Sequence, residues 1–228
     1  MGKHKKSKHT KQFYKRLICI LLIIICSTVL INAFKARSLA SSFTVLTRLT
    51  GQTSLNSTST LIKPSITEDL LTPNKYSRPQ TKLKKVNAVV IHYVGNAGST
   101  AKANRDYFEG LAASGETSAS SHFVVDTDGT IIQCIPLDEI SYASNNRNND
   151  TISIEVCHPK IDGKFTKDTC DALTELIAWL LDTYGLSKDD IIRHYDVTGK
   201  ICPKYYVEHA DAWDDLKDKI WDYYQTNK

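Results

Sequence analysis

Between Arg193 and Pro203 the chain reads RHYDVTGKICP, with a histidine and a cysteine eight positions apart and a lysine two before the cysteine. Imidazole nitrogen and thiolate sulfur are both zinc ligands, and a catalytic zinc keeps three protein ligands and one open position. His194 and Cys202 would supply two of the three, and Lys200 a cation beside them. The same stretch could equally be a surface turn over a buried thiol. Other polar groups at the ends of apolar runs bear on the choice. His92 closes VVIHY, Glu155 interrupts SIEVC, His122 opens HFVVD and His194 ends IIRH. Singly, each has an ordinary explanation: a histidine at a strand end is more often hydrogen-bonded than metal-bound, and a strand glutamate usually faces water. Together they fit a catalytic zinc site, with His92, His194 and Cys202 as ligands. A structural zinc site would usually add a fourth ligand; His158 and His209 are candidates, but neither stands in a comparable position.

Those residues need elements to position them. VNAVVIHY is a short continuous apolar run of the kind that forms a strand buried on both faces. STAKANRDYFEGLAA reads as a helix. HFVVD and TIIQCI flank a turn in which Gly129 can take positive φ, and TISIEVCH is a further strand. In TKDTCDALTELIAWLLDTYG, Thr166 can cap a helix whose stripe is Leu173, Leu176, Ile177, Leu180, Leu181 and Tyr184, with Gly185 as the stop. DDIIRHYDV reads as a short strand ending in a loop. A last helix, roughly Asp211 to Tyr224, turns Trp213, Leu216, Ile220 and Tyr224 to one side. The expected class is α/β, a central mixed sheet with helices on its faces.

The 228 residues divide by charge. Residues 1–16 carry seven Lys/Arg and no acid, residues 35–84 carry eight against two, and residues 85–228 carry 14 against 23. Between the basic arms lies LICILLIIICSTVLI, Leu17 to Ile31, uncharged and extending to Phe34 if Asn32 is tolerated. Its length falls between a secretory-signal core and a full span, so it reads as a transmembrane anchor or a signal segment. Ser38-Leu39-Ala40 is a weak cleavage site, and Ile25 before Cys26 argues against lipid attachment. The positive-inside rule keeps residues 1–16 cytoplasmic and sends the rest outward. That places the domain outside the cell membrane, either tethered to it or secreted. A basic arm beyond an apolar segment from the folded part is a poor nucleic-acid site, so no nucleic-acid partner is expected. Residues 35–84, rich in Ser, Thr, Lys and Pro, read as a linker, and residues 85–228 as the catalytic domain. With Cys202 set aside as a ligand, Cys134, Cys157 and Cys170 leave an odd number, which does not make a disulfide framework.

The blocks VVIHYVGN, SSHFVVDTDGTIIQCIPLDEISYASNNRN, TISIEVCHP and RHYDVTGKICP resemble, in order, the zinc-dependent N-acetylmuramoyl-L-alanine amidases. That group takes in phage lysins, autolysins and peptidoglycan recognition proteins. The resemblance covers about residues 85–215. It implies zinc on a mixed sheet, and cleavage of the amide between the lactyl group of N-acetylmuramic acid and L-alanine in peptidoglycan. It implies His92, His194 and Cys202 as ligands, Glu155 as the catalytic carboxylate and Lys200 as a charge stabiliser. Two departures stand out. Many relatives have an aromatic followed by histidine where this chain has SYASN; Tyr142 could keep the aromatic contact with substrate, but Ala143 cannot replace the imidazole. Some phage members have tyrosine where this chain has Ser121. For His122 a structural hydrogen bond is the expectation. The alternatives are a peptidoglycan-binding module without hydrolysis, against which the full trio argues, and a cytosolic enzyme recycling wall fragments, against which the exported N-terminus argues.

Overall fold

The computed structural model describes residues 61–228. Six strands form one sheet: β1 (Thr67–Glu68), β2 (Ala88–Ile91), β3 (Phe123–Val125), β4 (Ile131–Gln133), β5 (Thr151–Val156) and β6 (Ile191–Arg193). Their order is β1-β4-β3-β5-β2-β6. β3, β5, β2 and β6 run parallel, while β4 returns antiparallel to β3 and carries β1 beside it. The sheet is therefore mixed, as expected. The β3–β4 turn closes with Asp126 N–H donating to Thr130 O at 2.8 Å, and Gly129 takes φ +86° there. A side chain at Gly129 would also meet the Asp168 carbonyl at 3.1 Å, so both conformation and space favour glycine.

Helices cover both faces. α1 (Ala101–Ser114) is capped by Thr100, whose side chain accepts from Ala103 N–H. α2 (Lys167–Tyr184) is capped by Thr166 and ends at Gly185 in the left-handed conformation. After β6 come two short helices, α3 (His194–Thr198) and α4 (Lys204–Glu208), and then α5 (Ala210–Asn227). The stripe of α2 and Trp213, Leu216, Ile220 and Tyr224 of α5 pack with Val89, Ile91, Phe123, Ile152, Ile154 and Val156 in the larger core. The opposite face packs Val124, Ile132 and Cys134 against Ala101 and Phe108 of α1 in a smaller one. Strand alternation explains the division: in β5, Ile152, Ile154 and Val156 point to the larger core, so Ser153 and Glu155 point the other way.

Two expectations need correcting. Residues 61–84 are not a linker but part of the domain. Leu61, Leu71 and Leu83 are buried, and β1 pairs with β4. Two arginines, Arg78 half-buried and Arg105 buried, fasten the segment. Arg78 forks onto Glu139 with both nitrogen–oxygen distances at 2.9 Å and donates to Leu71 O at 2.7 Å. Arg105 of α1 donates to Asp69 O and Leu70 O and pairs with the Asp69 carboxylate at 3.0 Å. Second, β6 does not run into a loop; His194 opens α3, with the Asp196 carboxylate accepting from Arg193 N–H. The basic arm, the apolar segment 17–34 and the rest of the expected linker, through residue 60, lie outside the described residues. Among the described residues no helix is long and apolar enough to cross a membrane.

Candidate metal centre and catalytic cleft

Sheet register assembles the site. Ile91 of β2 is aligned with Ile154 of β5 on one side and Arg193 of β6 on the other. The next residue on each strand path is His92, Glu155 and His194, so the three fall in one row at the carboxyl ends of three adjacent parallel strands. His92 N–H donates to Ile154 O at 2.9 Å, which locks that register at its last step. Cys202 comes from the loop after α3, pinned by Tyr195 N–H donating to Cys202 O at 3.0 Å.

The ligand atoms converge. His92 Nδ1 lies 3.1 Å from His194 Nδ1, Cys202 Sγ lies 3.9 Å from His92 Nδ1, and all three fall within 4.8 Å of one another. Zinc bonds of about 2.0 Å to nitrogen and about 2.3 Å to sulfur would set tetrahedral ligands roughly 3.3–3.6 Å apart, so the trio fits with small adjustments. All three residues are buried. Among the described residues it is the one group of three or more His, Cys, Asp or Glu side chains placed to hold a metal. His158 is elsewhere, donating to Lys160 O and stacked on Tyr93, and His209 stacks on Tyr205.

Electrostatics favour neutral imidazoles and an enclosed carboxyl. Burial holds His92 well below the ordinary imidazole value, helped by His194 and Lys200, and burial and Lys200 lower His194 in the same direction. Both rings therefore offer a lone pair near neutral pH. Burial pushes the Cys202 thiol up to about 12, and the Tyr93 backbone N–H and Lys200 offset only part of this. A divalent cation is the partner that would hold this sulfur as thiolate. Glu155 Oε2 is buried without a hydrogen-bond partner, and burial pushes its carboxyl up to about 8 against the pull of Lys200. The exposed Lys200 thus acts electrostatically on Glu155 and all three candidate ligands.

These groups line a cleft of about 340 Å³ together with Tyr93, Phe108, Ser120, Tyr142 and Asn148. The sequence-derived residues His92, Glu155, His194, Lys200, Cys202 and Tyr142 all reach it. Tyr142 is held through its backbone, exchanging hydrogen bonds with Ser120. His122 lies apart from the cleft lining: Ser153 N–H donates to its Nδ1 at 3.0 Å, and its Nε2–H donates to Glu139 O at 2.9 Å. That is the structural role expected of it. Two residues escaped the sequence reading. Ser144 Oγ lies 3.2 Å from His92 Nε2, and Asn145 Oδ1 lies 2.8 Å from His194 Nε2. Both are small polar residues in a polar loop, and only their place just ahead of β5 hints at a role.

The family described as N-acetylmuramoyl-L-alanine amidase matches residues 82–205, more than half of the chain. The chain belongs to the N-acetylmuramoyl-L-alanine amidase family. It is 34% identical over 168 residues to the N-acetylmuramoyl-L-alanine amidase CwlL of Bacillus licheniformis, covering 68% of this chain and 46% of that one. It is 33% identical over 175 residues to the N-acetylmuramoyl-L-alanine amidase BlyA of Bacillus subtilis strain 168, again covering 68% and 46%. The chain thus spans about half the length of the curated relatives it matches. The solved catalytic domain of XlyA superposes with a TM-score of 0.58 at 26% identity, over 69% of this chain and 99% of that domain. In this amidase-family domain the departures noted in sequence have distinct places. Ser121 is buried, its Oγ donating to Phe123 O or Ser153 O, both at 2.9 Å, so it forms no part of the cleft wall. Ala143 does line the cleft.

Proposed function

We propose that the domain hydrolyses the amide between the lactyl group of N-acetylmuramic acid and L-alanine of the peptidoglycan stem, with zinc held by His92, His194 and Cys202. The observation that carries this reading is the row of His92, Glu155 and His194 on adjacent strands, with Cys202 and Lys200 brought to the same cleft. Zinc in that trio supplies Lewis acidity toward the scissile carbonyl and lowers the pKa of the attacking water. Glu155 takes the proton from that water and delivers it to the leaving amine, a task suited to a carboxyl tuned toward neutrality. Lys200 stands beside the oxygen that gains charge. Tyr142 and the cleft wall contact the sugar–peptide junction.

The amino-terminal sequence supports a location. The basic residues 1–16 and the apolar segment 17–34 tether the enzyme to the membrane, or direct its secretion, with the stretch up to residue 60 as spacer. Peptidoglycan outside the membrane is then within reach.

Mass spectrometry of muropeptides after digestion of purified peptidoglycan decides the reaction. Wild type should release stem peptides bearing a free L-alanine amine, and chelation should stop it. Glu155→Gln should retain zinc and lose about 10²–10⁴ in rate. Peptidoglycan binding without turnover by the zinc-loaded wild type would overturn hydrolysis. Normal turnover by Glu155→Gln would remove Glu155 from the mechanism.

A further inference from the structure

Both candidate histidine ligands present Nδ1 to the trio, which leaves each Nε2 pointing away. Each Nε2 meets a side-chain oxygen, and the two oxygens belong to consecutive residues, Ser144 and Asn145. We propose that Ser144 and Asn145 are positioning residues for the metal centre, holding His92 and His194 in the tautomer that directs a bare Nδ1 at the ion. This assignment rests on the zinc reading above and extends it to a loop outside the ligand set.

Chemistry fixes the direction at Asn145. An amide oxygen only accepts, so His194 Nε2 must carry the hydrogen, and the neutral ring then keeps its lone pair on Nδ1. A serine hydroxyl can accept in the same way, and Ser144 is fully buried beside His92. Acceptors on the remote nitrogen of ligating histidines fix ring orientation as well as tautomer.

The loop is built to place these two oxygens. Asn148 Oδ1 accepts from Ala143 N–H at 3.1 Å and from Ser144 N–H at 2.6 Å, folding the loop back on itself. Arg147, paired with Asp150 at 2.7 Å, anchors the return into β5. Asn145 itself takes φ +54°, a left-handed conformation uncommon for any residue but glycine and most accessible to asparagine among the rest. Glycine would relieve that conformation and would carry no acceptor. An asparagine held there while its amide meets a ligand histidine points to a use for the amide.

The test follows from the same backbone fact. In the full chain, Asn145→Gly suits the positive φ while deleting the acceptor, and Asn145→Asp keeps an acceptor at the same place. Zinc affinity is measured by competition with a chromophoric chelator, and the His194 tautomer by two-bond proton–nitrogen spectra of the metal-free protein. Asn145→Gly and Ser144→Ala should each weaken zinc by about 10–100-fold. Asn145→Asp should bind zinc at least as tightly as wild type. His194 should be Nε2-protonated in wild type and lose that preference in Asn145→Gly. Unchanged zinc affinity in the Ser144→Ala, Asn145→Gly double variant would overturn the proposal while leaving the metal site standing. If instead wild type takes up no zinc, or Cys202→Ser holds as much as wild type, the ligand trio is what fails.

Discussion

Four cysteines occur among the described residues, all as free thiols, and geometry separates one from the rest. Cys134 and Cys157 sit in the smaller apolar core, where burial pushes each thiol up to about 12. Cys170 lies beside the Tyr206 hydroxyl. Cys202 is pushed to about the same value as the core cysteines, yet its sulfur faces two imidazole nitrogens and a lysine-lined cleft. A raised thiol alone therefore says nothing about a ligand; the neighbours do. Elemental analysis of purified variants should find one zinc per chain in wild type, Cys134→Ser and Cys157→Ser, and little in Cys202→Ser. Cys202→Asp should recover part of the zinc, since a carboxylate oxygen is also a zinc ligand. Full zinc in Cys202→Ser would leave the two histidines without their third partner and would end the trio.

At the scale of elements, the strands and the two long amphipathic helices were legible because their apolar residues recur at the periods of strand and helix. The two candidate histidine ligands were legible because they end such strands, and Cys202 because it follows His194 closely in one short polar stretch. What stayed hidden has a physical reason in each case. Leu61, Leu71 and Leu83 are buried, but they stand too far apart in a Ser, Thr, Lys and Pro background to show any period. Their segment is held by Arg78, whose partner Glu139 lies far along the chain, and by Arg105 of α1, which reaches back to Asp69. Ser144 and Asn145 were hidden because loop polarity is unremarkable until the partner atoms are known. The arginine clamp gives a direct prediction. Arg78 and Glu139 side chains are 13% and 7% exposed, so Arg78→Ala strands a carboxylate in the interior and should cost about 3–5 kcal/mol in urea denaturation. Lys82 and Asp138 pair nearby but are each 67% exposed, so Lys82→Ala should leave the midpoint unchanged. Equal midpoints for both variants would mean that the segment before β2 is not fastened to the domain.

Across the whole molecule, charge and titration follow the division between the two faces of the sheet. Residues 61–228 hold 19 Lys/Arg and 25 Asp/Glu, and five of those acids, Asp211, Asp214, Asp215, Asp218 and Asp222, lie exposed on α5. That helix packs on the larger core, away from the face that carries Glu155, so these five acids are remote from a cleft whose charged lining is Glu155 and Lys200. Under the cleft face lies a buried polar cluster in which Ser153 Oγ meets Ser141 Oγ at 2.7 Å and His122 Nδ1 at 3.1 Å. His122 joins β5 to the Glu139 carbonyl with both ring nitrogens occupied, one accepting and one donating. A second proton would have to displace the Ser153 N–H from Nδ1, and burial accordingly holds the ring down at about 4, against 6.5 for an ordinary imidazole. The sign follows from linkage. Below pH 6.5 the unfolded chain binds this proton and the folded chain does not, so the stability contributed by the neutral ring is present above 6.5 and is lost as pH falls toward 4. A difference of that size amounts to about 3 kcal/mol between pH 7 and pH 4. His122→Asn cannot titrate; it should be less stable than wild type at pH 7, but its urea-denaturation free energy should fall by about 3 kcal/mol less on acidification. Acid release of zinc affects both proteins alike, so the difference between their pH profiles isolates His122. Parallel profiles would show that the ring gains a proton in the folded domain as readily as in the unfolded chain, and that it does not join the strands as a neutral ring.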